Sequence, residues 1–262
     1  MREHPIGFFD SGVGGTSIWK EATRLLPAEN TIYLADSKNA PYGVRTPEEI
    51  LQFCIKNTEL LLQKKCKLIV VACNTATTNA ISYLRKTYNI PFIGIEPAIK
   101  PAALQSATKT VGILATKGTL ASSLFHSTSQ NHAAGITILE KEGTGLVPLI
   151  EKGLAESEET KKLLTQILKP MLAKNIDYLV LGCTHYPYLI PALKEILPPN
   201  INIIDSGEAV AKQTKAILSY NDILNTSLNK GKHQFYTNMD KDILSTFLVD
   251  FDGTYTVNYL NF

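Results

Sequence analysis

The chain has 262 residues, 44% of them hydrophobic and 19% charged, and a formal charge of +2 with its Lys and Arg scattered. That balance suits a globular protein of one large domain or two modest ones, able to bury roughly three quarters of its unfolded surface. It argues against nucleic acid as the main partner, since a phosphate-binding face needs clustered basic residues. No apolar run approaches the ~18–20 residues of a membrane helix, and the opening MREHPIGFFD carries neither an apolar signal region nor a cleavage site. A cytoplasmic protein with no membrane partner is expected. Its cysteines, Cys54, Cys66, Cys73 and Cys183, form no C-x-x-C pair, so no metal site is expected and the thiols should be free.

In chain order, Ile6–Phe9 reads as a short strand ending at Asp10, followed by the turn DSGVGGTS and a helix to about Leu26. Thr31–Ala35 is a second strand, closed by Asp36, and SKNAPYGVR reads as a polar loop. Thr46-Pro47-Glu48-Glu49 is a strong helix start: Thr as N-cap, Pro at the first helical position, acids in the first turn. That helix runs to about Lys64. Leu68–Ala72 is a buried strand, Cys73 stands where it stops, and a helix is under way by Ala76. A short strand, Pro91–Ile95, ends the first series.

The second series has strands at Thr110–Leu114, Gly135–Leu139, Asp177–Leu181 and Ile201–Ile204. Helices are expected from ATKGTLASS to about Gln130, over Leu146–Gly153 and Glu156–Ala173, and after Asp205-Ser206-Gly207 to about Leu218. HQFYTN and TYTVNYL then read as two strands around a short helix. Strands alternating with helices predict α/β architecture with mostly parallel sheets flanked by helices.

The two series look duplicated. IGFFDSGVGGTS is similar to VGILATKGTLAS, and VVACNTATTNAI to VLGCTHYPYLI. Asp10 and Cys73 therefore match Thr116 and Cys183. Two similar domains are expected, residues 1–97 plus 208–262 and residues 98–207, with the active site in the cleft between them. Each places a cysteine at a strand's carboxyl end beside a helix N-terminus. Ligands bind there in open α/β sheets, and a thiol is pushed toward thiolate there. Two such thiols suit one chemistry. Inverting a carbon stereocentre needs a base on one face and an acid on the other. The carbanion between them needs electrostatic stabilisation and exclusion of water. Backbone N–H groups at the helix starts after Asp10, Cys73 and Cys183 are candidates to hold carboxylates.

Taken together, FFDSGVGG, NAPYGVRTPEEI, VVACNTAT, VPLIEKG and VLGCTHYPYL resemble the signature segments of the glutamate racemases, cofactor-independent members of the aspartate/glutamate racemase superfamily. The tail segment FYTN fits as well. The resemblance implies that Cys73 and Cys183 are the acid/base pair, Cys73 deprotonating D-glutamate and Cys183 L-glutamate. It implies that Asp10 and His185 tune or assist the thiols, and that Glu151 has an assisting role. It further implies glutamate contacts at Asp10, Ser11, Tyr42, Gly43, Asn74, Thr75, Thr184 and His185, no cofactor, and D-glutamate made for peptidoglycan. A homodimer is expected. The chain departs from the pattern at Gly143-Thr144-Gly145, where Cys-Pro is usual, and at Ser37, where threonine is common.

Other readings of the same residues stay open at this level. Asp10 can simply cap the following helix, Tyr42-Gly43 can be only a turn, and Glu151 a surface helix residue. Cys54 and Cys66 read as structural, and His126 and His132 as solvated. The GVGG turn invites a dinucleotide site, with Asp36 near the place of a ribose-binding acid. That fingerprint needs glycine where Ser17 stands. Alternative functions are racemisation of aspartate or a hydantoin, or non-catalytic binding of an amino acid. A cysteine hydrolase would leave the second matched cysteine unexplained.

Overall fold

The computed structural model describes the backbone of residues 1–132 and 135–262, and the side chains of all of these except 128 and 130–132. The expectation for His132 therefore lies outside the described residues. The chain forms two compact units, Met1–Ile95 with Gly207–Phe262, and Glu96–Ser206.

The first unit starts with β1 (Ile6–Asp10), α1 (Thr16–Leu25), β2 (Thr31–Ala35), α2 (Pro47–Gln63), β3 (Leu68–Val71), α3 (Asn74–Thr87) and β4 (Phe92–Gly94). The second unit contains α4 (Ile99–Gln105), β5 (Thr110–Ala115), α5 (Lys117–Leu120), α6 (Ser123–His132), β6 (Thr137–Glu142), α7 (Leu146–Glu151), α8 (Glu158–Leu172), β7 (Tyr178–Gly182), α9 (Ile190–Ile196) and β8 (Asn202–Ile204). The chain then returns to the first unit with α10 (Gly207–Tyr220), β9 (His233–Thr237), α11 (Lys241–Thr246) and β10 (Tyr255–Tyr259).

The first sheet has the order β10-β9-β2-β1-β3-β4 and the second β6-β5-β7-β8, and every described strand pair is parallel. The duplication seen in the sequence is a duplication of topology. β2-β1-β3-β4 and β6-β5-β7-β8 are the same winding, and β9 and β10 extend the first sheet beyond β2. In each, the order reverses beside the first strand of the series, so a crevice opens at the carboxyl ends of β1 and β3, and of β5 and β7. Asp10 and Cys73 flank the first switch point, Thr116 and Cys183 the second.

The strands form where they do because both faces are covered. Leu68 to Ala72 are fully buried, as are Phe8 and Phe9, and strands buried on both faces read as unbroken apolar runs. Each of these Leu, Ile, Val and Phe side chains contributes roughly 1.5–3 kcal/mol by leaving water. In the second unit Val111, Ile113 and Ala115 of β5 and Val180 of β7 pack with Ala98, Ile99, Ala102 and Phe125. α2 begins with the full capping box, Thr46 accepting from the Glu49 amide while the Glu49 carboxylate accepts from the Thr46 amide.

The structure departs locally from the sequence expectations. α3 begins at Asn74, two residues early, because Cys73 is its N-cap. The 37–45 loop contains two short 3-10 turns, Ser37–Asn39 and Tyr42–Val44. After Cys183 the chain enters a 3-10 turn, Tyr186–Leu189, before α9. No helix is long and apolar enough to cross a membrane among the described residues.

Candidate active site

In the first unit the β1 and β3 ends bring Asp10, Ser11 and Cys73 together. The buried Asp10 carboxylate accepts from the Ser11 amide at 2.6 Å and hydroxyl at 3.2 Å, and from the Gly15 amide. It thus does cap the entry to α1. Gly15 is required there, since a Cβ would lie 2.7 Å from the Ala72 carbonyl and 2.8 Å from the Asp10 side chain. The next amides are also spent locally, Thr16 on the Val13 carbonyl and Ser17 on that of Gly14. The amides of Gly15, Thr16 and Ser17 therefore serve Asp10 and the turn itself.

The Cys73 thiol donates to the Ser11 hydroxyl at 3.8 Å and accepts from the Ala76 amide at 3.4 Å. Burial first, and then the neighbouring Asp10 charge, push this thiol well above its usual pKa. The Ala76 and Ser11 amides oppose the shift without reversing it. A helix N-terminus alone lowers a thiol pKa, but here desolvation and a carboxylate outweigh it.

Asn74 and Thr75 follow, both 3% exposed. Neither amide atom of Asn74 has a hydrogen-bond partner among the described residues. Buried polar groups are nearly always paired, so this amide is held at a cost beside Cys73. Tyr42 is buried with its ring stacked on Phe53 at 5.3 Å. Its hydroxyl donates to Asp36 at 2.5 Å and accepts from Asn57 at 3.2 Å. What Tyr42 brings to the rim is therefore the shape of the loop that presents Gly43, not a spare hydroxyl. Asp36 is itself fully engaged by Asn39, Tyr42 and Asn238, which leaves the ribose-binding reading no acid.

In the second unit β7 delivers Cys183 and α7 delivers Glu151 to opposite ends of the His185 imidazole. Nδ1 lies 3.8 Å from the Cys183 sulfur and Nε2 2.6 Å from a Glu151 oxygen. Burial pushes the His185 pKa down, but the hydrogen bonds and charges of Cys183 and Glu151 outweigh it and hold it well above the usual value. Glu151 is thus a partner of His185 rather than a plain surface residue. Thr184 is buried between the two. The Tyr186 hydroxyl donates to the Gly143 carbonyl at 3.3 Å. A Cβ at position 143 would stand 2.2 Å from that hydroxyl, so the unusual Gly143-Thr144-Gly145 segment is tied to the residue next to His185.

Cys54 and Cys66 lie away from both strand ends and are buried. Burial pushes both thiols up, Cys66 to about 12. His126 is exposed. No group of three or more His, Cys, Asp or Glu able to hold a metal occurs among the described residues. The sequence reading missed Asn238 and Tyr186. Both stand inside segments that carried the resemblance, FYTN and CTHYPYL, but nothing local shows what they touch.

The family model for Asp/Glu/hydantoin racemase matches residues 14–214. A glutamate racemase of Herpetosiphon aurantiacus is 43% identical over 240 residues, 92% of this chain and 94% of that protein. The crystal structure of glutamate racemase isoform RacE1 from Bacillus anthracis is similar with a TM-score of 0.89 at 30% identity, covering 100% of this chain and 99% of that one. Escherichia coli glutamate racemase, solved in complex with L-glutamate and the activator UDP-MurNAc-ala, gives 0.85 at 32% identity, covering 98% of each chain. With that model over most of its length and such relatives, the chain belongs to the Asp/Glu/hydantoin racemase family.

Proposed function

We propose that the chain interconverts L- and D-glutamate by proton transfer at Cα between two cysteines, without pyridoxal phosphate or a metal. The observation that carries the mechanism is the repeated topology, which ends β3 in Cys73 and β7 in Cys183 at equivalent switch points. A base and an acid are needed on opposite faces of the stereocentre, and two equivalent thiols exchange those roles with direction. Glutamate is the substrate supported by the relatives, which are glutamate racemases, one of them holding L-glutamate.

Cys73 takes the proton from D-glutamate and Cys183 from L-glutamate, each returning it to the other enantiomer. Asp10 holds Ser11 and acts on Cys73. His185, oriented by Glu151, acts on Cys183. The unpaired Asn74 amide has one donor and one acceptor side to offer an amino acid. With Ser11, Thr75, Gly43 and Thr184 it forms the binding set, and the N-terminus of α3 favours a carboxylate. Burial of both thiols supports the exclusion of water that a weak carbon acid requires. The product is D-glutamate for peptidoglycan, made in the cytoplasm by a homodimer.

The test is incubation with L-glutamate in deuterated water without added cofactor. Loss of optical rotation with deuterium at Cα is expected, and Cys73→Ala or Cys183→Ala abolishes racemisation. Exchange on aspartate or a hydantoin in place of glutamate would overturn the substrate, and binding without exchange would overturn the chemistry.

A further inference from the structure

The FYTN segment of the tail has no part in the reaction as drawn, yet it reaches the rim that carries Tyr42. β2 and β9 are neighbours in register, Ala35 opposite Thr237. Parallel strands end on the same side, so the next residues, Asp36 and Asn238, leave the sheet together although 202 positions separate them. The Asn238 amide donates to Asp36 at 2.6 Å and to the Phe262 carbonyl oxygen at 3.2 Å, and accepts from the Lys38 amide at 2.9 Å. Asp36 in turn holds the Asn39 amide at 2.8 Å and the Tyr42 hydroxyl at 2.5 Å. Asn238, Asp36, Tyr42 and Asn57 are all at least 97% buried. The chain from the tail strand to the glutamate loop is therefore continuous, Asn238 to Asp36 to Tyr42, with a second grip on the loop backbone at Lys38.

We propose that Asn238 is a positioning residue for glutamate binding, clamping the 36–45 loop that presents Tyr42 and Gly43. The proposal rests on the racemase reading above. The hydrogen bonds of Asn238 go to Asp36, Lys38 and Phe262 and to neither Cys73 nor Cys183 among the described residues, so it acts on the order of the loop before the proton moves. A loop that must be ordered at binding weakens binding by the cost of ordering it. The effect belongs in KM and not in kcat.

The experiment compares wild type, Asn238→Ala and Asn238→Asp in both directions. Asn238→Ala removes the charge-assisted bond and the Lys38 grip, and KM for both enantiomers rises about tenfold, with kcat within about threefold. Asn238→Asp keeps the acceptor for Lys38 but sets a second carboxylate against Asp36. Facing that pair are the Tyr42 hydroxyl, the Cys54 thiol, the Asn39 and Asn57 amides and, on the Asn238 side, the Lys38 backbone amide and the Phe262 oxygen, none of them cationic. One proton shared between the carboxyls restores the lost donor, so the KM defect of this variant shrinks as pH falls, a trend absent from wild type and Asn238→Ala. A role confined to stability would lower the unfolding midpoint and leave the KM of the folded fraction and its pH trend unchanged. That result overturns the proposal, as does a loss confined to kcat. Should Asn238→Ala not fold, the pH trend of Asn238→Asp decides. Failure of wild type to exchange Cα hydrogen removes the racemase reading and the proposal with it. Wild-type exchange with unaltered variant KM removes the proposal alone.

Discussion

Replacing Asn74 by leucine is expected to stabilise the resting protein and abolish its response to glutamate. The side chain is buried, and both amide atoms lack a hydrogen-bond partner among the described residues. A buried polar group left unpaired costs about 1–3 kcal/mol. Leucine keeps the number of side-chain heavy atoms and the branching at Cγ, and its two methyls, though bulkier than the amide groups, need no hydrogen-bond partner. The expected gain is about 1–3 kcal/mol, a rise of roughly 2–12 °C in Tm at about 2–4 °C per kcal/mol for a chain of this size. Glutamate at about a hundredfold excess over Kd adds about 2.7 kcal/mol to the wild type through mass action. The leucine variant loses that increment, since the groups that receive the substrate are gone. Thermal unfolding of both proteins with and without glutamate, beside a racemisation assay, measures each part. A leucine variant that is less stable than wild type and still stabilised by glutamate would refute the reasoning, because the unpaired amide would then be neither a cost nor a contact.

Glu151→Gln removes the charge that helps hold the His185 proton. The alkaline limb of activity moves to lower pH and kcat falls roughly tenfold, about the worth of one charge-assisted hydrogen bond. A pH–rate profile reads both effects. Because the folded-state pKa of His185 is raised, the stability it contributes is full below the usual imidazole value and is lost as pH rises through the folded value. Gly143→Ala forces a Cβ against the Tyr186 hydroxyl and costs about 1–3 kcal/mol by overpacking. Tyr186→Phe in the same chain removes the shortest contact and relieves part of it, while the ring carbon Cζ at 2.8 Å and Leu146 Cδ1 at 2.9 Å keep the rest, as denaturant titration will show. Lys67→Met leaves the Glu29 carboxylate, 2.6 Å away and 1% exposed, buried without its cation, with the Asn225 amide at 2.8 Å still donating to its other oxygen. The expected loss is about 3–5 kcal/mol in urea unfolding, and adding Glu29→Gln recovers most of it.

The parts of the fold that were legible in the sequence were those with a local physical signature. Leu68–Val71 reads as a strand because both of its faces are buried, and Thr46-Pro47-Glu48-Glu49 starts a helix by its own capping chemistry. The duplication was legible because two switch points built from one winding need the same residue types at the same places. α4 was not, since Ile99–Gln105 is short, carries Pro101 in its first turn and is stabilised by packing on β5. The place of the Tyr42 hydroxyl was not legible, because it is taken by Asp36. That carboxylate is held by Asn238, and no local pattern spans such a separation. His233 showed no motif, yet its Nδ1 meets the Thr31 hydroxyl at 2.9 Å under the edge of Trp19. Burial lowers its pKa to about 4. The protonation of Cys73 was misread for the same kind of reason. The sequence shows the helix N-terminus, whereas burial and Asp10 come from the tertiary fold.

Those protonation states make the two directions unequal in a way thermodynamics restricts. Burial and Asp10 keep the proton on Cys73, while a cationic His185 stands beside Cys183. In the proposed mechanism the form with the proton on Cys73 takes L-glutamate, and burial beside Asp10 makes it the commoner form. The form that takes D-glutamate, with Cys73 as the base, is the scarcer one. Enantiomers have equal free energy, so the equilibrium constant is unity at every pH and kcat/KM must be the same in both directions. The imbalance is confined to kcat and KM separately. Turnover of L-glutamate leaves the scarce form, which relaxes downhill. Turnover of D-glutamate leaves the common form, which must climb back before the next cycle. D-glutamate should therefore show the lower kcat and, in the same ratio, the lower KM. Initial rates from each pure enantiomer measure both, and a higher kcat from D-glutamate would mean that Cys73 gives up its proton more readily than its burial beside Asp10 allows.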